Sequence, residues 1–313
     1  MKLITFSREG IKQRVGVIVN EEVIDLNIAY KTLLASEGKI RAQQIAEAFV
    51  PADMTGFLQG GKESLEFAKK AIDYALENKT DNGYRLVYAL NEVKVEAPVP
   101  APGKMICVGH NYREHILEMK REIPQYPVVF AKFANTVVGP QDDIPFFPIS
   151  EQLDYEAEFA FVIGKRARNV SQEEALDYVA GYTIVNDVTY RDIQRRTIQW
   201  LQGKTVEGSA PMGPWLVTSD ELTDPSGLEV ILAVNGEVRQ HTNTANLVFS
   251  VQYLVEFLSN LMTLEPGDII LTGTPGGVGF AMDPQTFLKD GDVVKIAIDK
   301  VGTLENQVKK VTE

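Results

Sequence analysis

Cysteine is nearly absent. Cys107 is the single one in 313 residues, which excludes an intramolecular disulfide and any cysteine-clustered zinc or iron–sulfur site. It sits in the apolar run Met105-Ile106-Cys107-Val108 with no pairing motif around it, so it reads as a small buried hydrophobe. Histidine is scarce as well: of the three, His110 and His241 have no ligand spacing to another and take no role. Positive charge is in deficit, with 31 Lys and Arg against 43 Asp and Glu and a formal net charge of -12. That balance repels nucleic-acid phosphates and anionic membranes, so neither is expected as a partner. No run approaches the ~18 consecutive apolar residues of a membrane span, and the N-terminal MKLITFSREG lacks the apolar core of a secretion signal. A soluble cytoplasmic protein is expected.

With 44% hydrophobic residues, the chain is long enough for one large domain and one small one. Residues 1 to about 30 alternate short β-rich runs with turn-prone residues, which predicts a small antiparallel sheet. Helical spacing follows over 40–78, through Ile45, Phe49, Leu65, Phe67, Ala68, Ile72 and Leu76. The stretch Ala97-Pro98-Val99-Pro100-Ala101-Pro102-Gly103 favours an extended connector. The boundary is placed there, giving a small N-terminal α+β domain over 1–97 and a larger domain over 98–313. Strand-like runs then recur, including Met105–Val108, Val128–Phe130, Ala157–Ile163, Tyr182–Val185, Leu228–Val234 and Val293–Ile298. Helices are expected near 172–179, with Ser171 as cap, and near 251–261. The fold class is α+β and β-rich.

In Leu153-Asp154-Tyr155-Glu156-Ala157-Glu158-Phe159 the acids occupy alternate positions, and a strand would set Asp154, Glu156 and Glu158 on one face. Three like charges in a row repel. Either that face lies in water, or a hard divalent ion such as Mg2+ or Mn2+ resolves the conflict. A second apolar strand ends in an acid, Asp187, where loops gather. If the chain turns helical there, Asp187, Arg191 and Gln194 share a face that offers a metal ligand, a guanidinium and an amide; a plain Asp187–Arg191 ion pair is the alternative. The run Thr272-Gly273-Thr274-Pro275-Gly276-Gly277-Val278-Gly279 follows an apolar strand and lacks the lysine and serine of a phosphate loop. It reads as a carboxylate cradle with Thr274 as hydroxyl donor, or as a glycine-rich turn.

Five blocks, in this order, carry a family resemblance: Gly109-His110-Asn111-Tyr112-Arg113-Glu114-His115-Ile116-Leu117-Glu118; Leu153 to Glu158; Asn186-Asp187-Val188-Thr189-Tyr190-Arg191-Asp192-Ile193-Gln194; Gly203-Lys204 through Pro214-Trp215; and Leu271 through Gly279. Over roughly 100–310 the chain resembles the fumarylacetoacetate hydrolase superfamily. The resemblance implies a mixed β-roll catalytic domain, usually a homodimer, with Mg2+ or Mn2+ held by Glu156, Glu158 and Asp187 and Asp154 left beside the site. It implies that Arg191, Gln194, Lys204 and Thr274, with Gly273, surround the substrate and the metal, and that His115 and Glu118 lie on a mobile lid. The N-terminal sheet resembles a small extra domain of some bacterial members. Tyr190, where many relatives have a small residue, and Phe146-Phe147-Pro148 depart from the pattern.

The implied substrate is a small α-keto acid, whose cleavage next to the keto group passes through an enolate. Lys204 and Arg191 would add positive charge beside the developing oxyanion. His115 and Glu118, three residues apart, would be helix neighbours able to take a proton from water. Hydrolytic C–C cleavage of an acylpyruvate, with oxaloacetate decarboxylation as a related activity, is the first expectation. Isomerisation or decarboxylation of a muconate-type intermediate of aromatic catabolism is the second, and a non-catalytic metal-binding scaffold the third.

Overall fold

The computed structural model describes residues 1–118 and 122–312, apart from the side chain of His115. Among these residues a 12-stranded sheet runs through the molecule. Its main path is Val87–Ala89, Glu22–Asp25, Ile11–Val19, Lys2–Arg8, Ala210–Thr218, Val179–Asn186, Ala157–Ile163, Ile269–Leu271, Met105–Gly109 and Val128–Lys132. The strands before and after residue 97 therefore join in one sheet, through the antiparallel pairs Lys2 with Val217 and Leu3 with Leu216. A five-stranded sheet packs against it, in the order Ile144–Phe146, Gly302–Lys310, Val293–Ile298, Glu229–Val234 and Glu237–Asn243. The result is the strand-rich α+β architecture that the resemblance implies. No helix among the described residues is long and apolar enough to cross a membrane.

The strand Ala157–Ile163 explains how the two layers meet. Side chains alternate along it, and both faces are buried. Phe159, Phe161 and Ile163 enter the core between the sheets with Tyr182, Ile184, Leu232, Ile296 and the helix residues Leu254 and Leu258. Ala160 and Val162 enter a second core, shared with Leu3, Val17, Ile24, Met105, Cys107, Val185 and the helices Leu26–Ser36 and Gly61–Asn78. Small residues on that side let the helices approach. A strand buried on both faces reads as a continuous apolar run, so a charge within it is costly unless it is paired.

Several expectations change. The helix expected near 172–179 is a single 3-10 turn, Ala175–Tyr178. Ser171 does not cap it; its hydroxyl donates to Glu174 Oε2 at 3.3 Å. The chain has to enter the strand Val179–Asn186 at once, which leaves no room for a longer helix. Leu26, within the span expected to form a small antiparallel sheet, instead opens the helix Leu26–Ser36, because the Asp25 carboxylate accepts the Ile28 amide at 3.0 Å. The helix Val251–Leu261 is present, capped by Ser250, which accepts from the Tyr253 amide.

Candidate functional site

The register of two central strands builds the acidic cluster. Ala157 pairs with Asn186 and Glu158 with Val185. One step beyond, Glu156 lies opposite Asp187, whose amide donates to the Glu156 carbonyl at 2.9 Å. Glu156 and Glu158 share a strand face by alternation, and Asp187 reaches that face from the neighbouring strand. An oxygen of each carboxylate lies within 4.8 Å of the others, and all three residues are buried. The face is therefore not a solvated one. The helical alignment of Asp187 with Arg191 and Gln194 does not form, because the strand Thr189–Tyr190 intervenes and the helix spans only Arg191–Arg195.

Arg191 turns instead to other acids. Its Nε donates to Asp154 Oδ2 at 2.7 Å, and its Nη1 lies 2.7 Å from Glu156 Oε1 and 3.2 Å from Gln194 Oε1. Its Nη2 is buried without a hydrogen-bond partner among the described residues. The Lys204 ammonium donates to Glu156 Oε2 at 2.8 Å and to Asp187 Oδ2 at 2.6 Å. Burial disfavours the Lys204 charge, but Asp187 and Glu156 outweigh it and hold the ammonium above the ordinary lysine range. The same opposition, burial against Asp154 and Glu156, ends with the Arg191 guanidinium held above its ordinary value.

Lys132 joins the site beyond the residues expected from the sequence. This buried ammonium lies 2.9 Å from Asp187 Oδ1 and donates to the Lys204 carbonyl at 2.6 Å and to Ser209 Oγ at 3.1 Å. Its contact with Asp187 is an ion pair rather than an aligned hydrogen bond. A lysine at the end of the apolar run Val128-Val129-Phe130-Ala131 was the available signal. Gln240 was also missed. Its Oε1 accepts from the Ala157 amide and its Nε2 donates to Thr274 Oγ1, each at 2.9 Å, so it ties the second sheet to the acidic strand and the glycine loop. It lies on a strand whose neighbouring positions are charged and polar, and nothing in the sequence marks its inward direction.

The glycine loop closes the site from above. The Gly273 amide donates to Glu158 Oε2 at 2.6 Å, which directs it to the acidic cluster rather than to a ligand. Gly273 sits at φ +100, and a Cβ there would meet the Val108 carbonyl oxygen at 2.8 Å. Asp154 accepts from the Gly279 amide at 2.8 Å and the Phe280 amide at 3.0 Å, so the residue left beside the site anchors the loop as well as Arg191. The Glu118 carboxylate accepts from the Gly277 amide at 3.1 Å, docking the helix Arg113–Glu118 on this loop. His115 belongs to that helix, but its side chain lies outside the described residues.

These elements surround a cavity of about 80 Å³. Glu156, Glu158, Arg191, Gln194, Lys204 and Thr274 line it together with Arg195 and the apolar Val108, Phe130, Trp200 and Phe280. The acidic cluster fits a hard divalent cation. Burial, Asp187 and Glu156 push Glu158 well above the usual carboxylate range, with Lys204 and the Gly273 amide opposing. Four buried carboxylates, Asp154, Glu156, Glu158 and Asp187, face three buried cations, Lys132, Arg191 and Lys204. The excess negative charge and the crowded oxygen donors are what such an ion would relieve.

The chain is similar to known proteins over nearly its whole length. A model of the fumarylacetoacetate (FAA) hydrolase C-terminal domain matches residues 104–309. The chain is 42% identical over 299 residues to the oxaloacetate tautomerase YisK of Bacillus subtilis (strain 168), covering 94% of this chain and 95% of the relative. Among solved structures, a fumarylacetoacetate hydrolase from psychrophilic Exiguobacterium antarcticum superposes with a TM-score of 0.78 at 34% identity, covering 99% of this chain and 100% of the other. A maleylpyruvate hydrolase from Sphingobium sp. SYK-6, in complex with manganese(II) ion and pyruvate, superposes at 0.74 with 29% identity over 100% of both chains. The ordered sequence blocks, the shared architecture and the family match over the whole larger segment lead to one assignment: the chain belongs to the fumarylacetoacetate hydrolase superfamily of enzymes.

Proposed function

We propose that this protein is a divalent-metal-dependent enzyme that interconverts the keto and enol forms of a short 2-oxo acid, with oxaloacetate as the first candidate. The observation that carries the reading is the buried, unpartnered Nη2 of Arg191, a residue that lines the cavity together with Glu156 and Glu158. A guanidinium nitrogen without a partner is costly in a dry site, and a substrate carboxylate satisfies it. The near-full-length similarity to an oxaloacetate tautomerase supports the choice of reaction. Mg2+ or Mn2+ held by Glu156, Glu158 and Asp187 would supply Lewis-acid charge to the keto-acid oxygens.

The protein's own groups do the rest. Arg191 binds the carboxylate, Gln194 steadies the guanidinium, and Thr274 offers a hydroxyl from the loop. Lys204, paired with Glu156 and Asp187, places its positive charge near the enolate oxygen. Fixed charges of this kind are worth roughly 10²–10³ in rate. His115, three residues before Glu118 in the sequence, is the proposed carrier of the proton to and from C3. The apolar wall of Phe130, Trp200 and Phe280 keeps bulk water away.

The decisive measurement follows the ultraviolet absorbance of enol oxaloacetate with and without Mn2+-loaded protein. Faster approach to the keto–enol equilibrium, lost in Glu156→Ala, is the expected result; no acceleration by the loaded wild type overturns the reading. The second reading is hydrolysis of an acylpyruvate, favoured by the position of Glu118 on the glycine loop, where a His115–Glu118 pair would activate water. Pyruvate released from acylpyruvates, in the absence of enol–keto acceleration, would select it.

A further inference from the structure

Arg195 also lines the cavity, one helical turn beyond Arg191. Unlike Arg191, it pairs with no carboxylate among the described residues. Its guanidinium lies over the Phe280 ring at 4.4 Å. A cation held over an aromatic face by its charge retains N–H donors for a ligand. Phe280 is itself held, because its amide donates to Asp154 Oδ2, the same oxygen that accepts from Arg191 Nε. One buried carboxylate thus fixes both the inner arginine and the platform of the outer one.

Resting on the keto–enol reading, we infer that Arg195 binds the second carboxylate of a four-carbon 2-oxo dicarboxylate and is the specificity-determining residue of this cavity. Positions i and i+4 on a helix place β-carbons about 5–6 Å apart. Arg191 receives the carboxylate beside the keto group, near Glu156. Arg195 stands one turn further along the same helix face and lines the same cavity. The cavity wall also includes the apolar Val278, Phe280 and Trp200, which suit the methylene of such a substrate. A monocarboxylic 2-oxo acid of the same length would leave Arg195 without a partner.

The test compares exchange of the C3 hydrogens with solvent deuterium, read by proton NMR, for oxaloacetate and 2-oxobutanoate with the Mn2+-loaded enzyme. Wild type is expected to prefer oxaloacetate by kcat/KM. In Arg195→Gln that ratio falls at least tenfold, through a higher KM for oxaloacetate rather than a lower kcat; Arg195→Lys recovers part of it, and Phe280→Leu gives an intermediate loss. A ratio that stays within twofold of wild type in Arg195→Gln, or a wild type without preference, overturns the inference. Calorimetric titration with malate and 2-hydroxybutanoate, stable acids of the same two shapes, separates the two proposals. If wild type exchanges neither 2-oxo acid, the keto–enol reading fails. A malate preference that Arg195→Gln abolishes then still upholds Arg195, and equal binding of the two acids overturns it.

Discussion

Glu158 occupies an unfavourable position for a carboxylate without a cation beside it. Burial and its two acidic neighbours push it up, so the folded chain takes up a proton there more readily than the unfolded one. Its contribution to stability is present below the usual carboxylate range and is lost as the pH rises through the folded value. Replacing Glu158 by Gln is therefore expected to raise the melting temperature of metal-free protein at neutral pH while abolishing the rise that Mn2+ gives wild type. For wild type that rise corresponds to about 2.7 kcal/mol at a hundredfold excess over Kd. Differential scanning calorimetry with and without Mn2+ reads both effects; a retained Mn2+ shift in the variant would remove Glu158 from the ligand set. Lys132→Met tests the other sign. It leaves Asp187 with Lys204 as its remaining cationic contact and strips three buried oxygens, of Val188, Lys204 and Ser209, of a donor, at an expected cost of about 3–5 kcal/mol in urea denaturation. At this scale alternation along a strand made the acidic stripe legible, and Asp187 stood out at a strand end. Lys132 and Gln240 did not, because whether a polar side chain on a strand points inward depends on partners more than 70 residues away.

The two departures from the family pattern turn out to be one feature. The Tyr190 hydroxyl accepts from the Phe147 amide at 3.0 Å and donates to the Pro145 carbonyl at 3.2 Å, so the bulky residue before Arg191 clamps the Phe146-Phe147-Pro148 segment. Tyr190→Phe is expected to cost about 1–3 kcal/mol, with faster amide exchange at Phe147 as its local signature. The glycine loop makes a sharper case. Gly277 sits at φ +94, and a Cβ there would meet the Arg239 carbonyl oxygen at 1.9 Å. Gly277→Ala should shift the loop, undock Glu118 and lower kcat by more than tenfold in the enol assay, whereas alanine at Gly291, where a Cβ meets nothing within 4 Å, should change kcat little. Strand positions were readable because β-branched runs and period-two patterning are local. The helix Leu26–Ser36 was not, because a single capping carboxylate, Asp25, decides between extension of a strand and a helical turn. The presumed common face of Asp187 and Arg191 failed for a related reason: the two-residue pairing of Thr189 and Tyr190 with Leu153 and Asp154 consumes the turn that a helix needed.

At the scale of the molecule, residues before and after position 97 share a core as well as a sheet. Leu3, Val17 and Ile24 pack in one cluster with Ala160, Val162, Val185 and Met212. A chain cut to 98–313 would bare that cluster and the free edge of Ala210–Thr218, so it is expected to aggregate or to melt well below the full protein; size-exclusion chromatography beside thermal unfolding decides this. The charge balance and the missing cysteines were informative at this scale from the outset, since they are properties of the whole chain. The continuity of the sheet was not, because pairing of Lys2 with Val217 spans most of the sequence. The register of Ala157–Ile163 against Val179–Asn186 has a last consequence. A slip of one residue would turn Glu156 and Glu158 to the face of Tyr182 and Ile184 and carry Asp187 away from them. Mis-paired chains would thus lack any site for a cation, and the fraction of molecules that take up Mn2+ during refolding counts those whose central ladder has closed correctly.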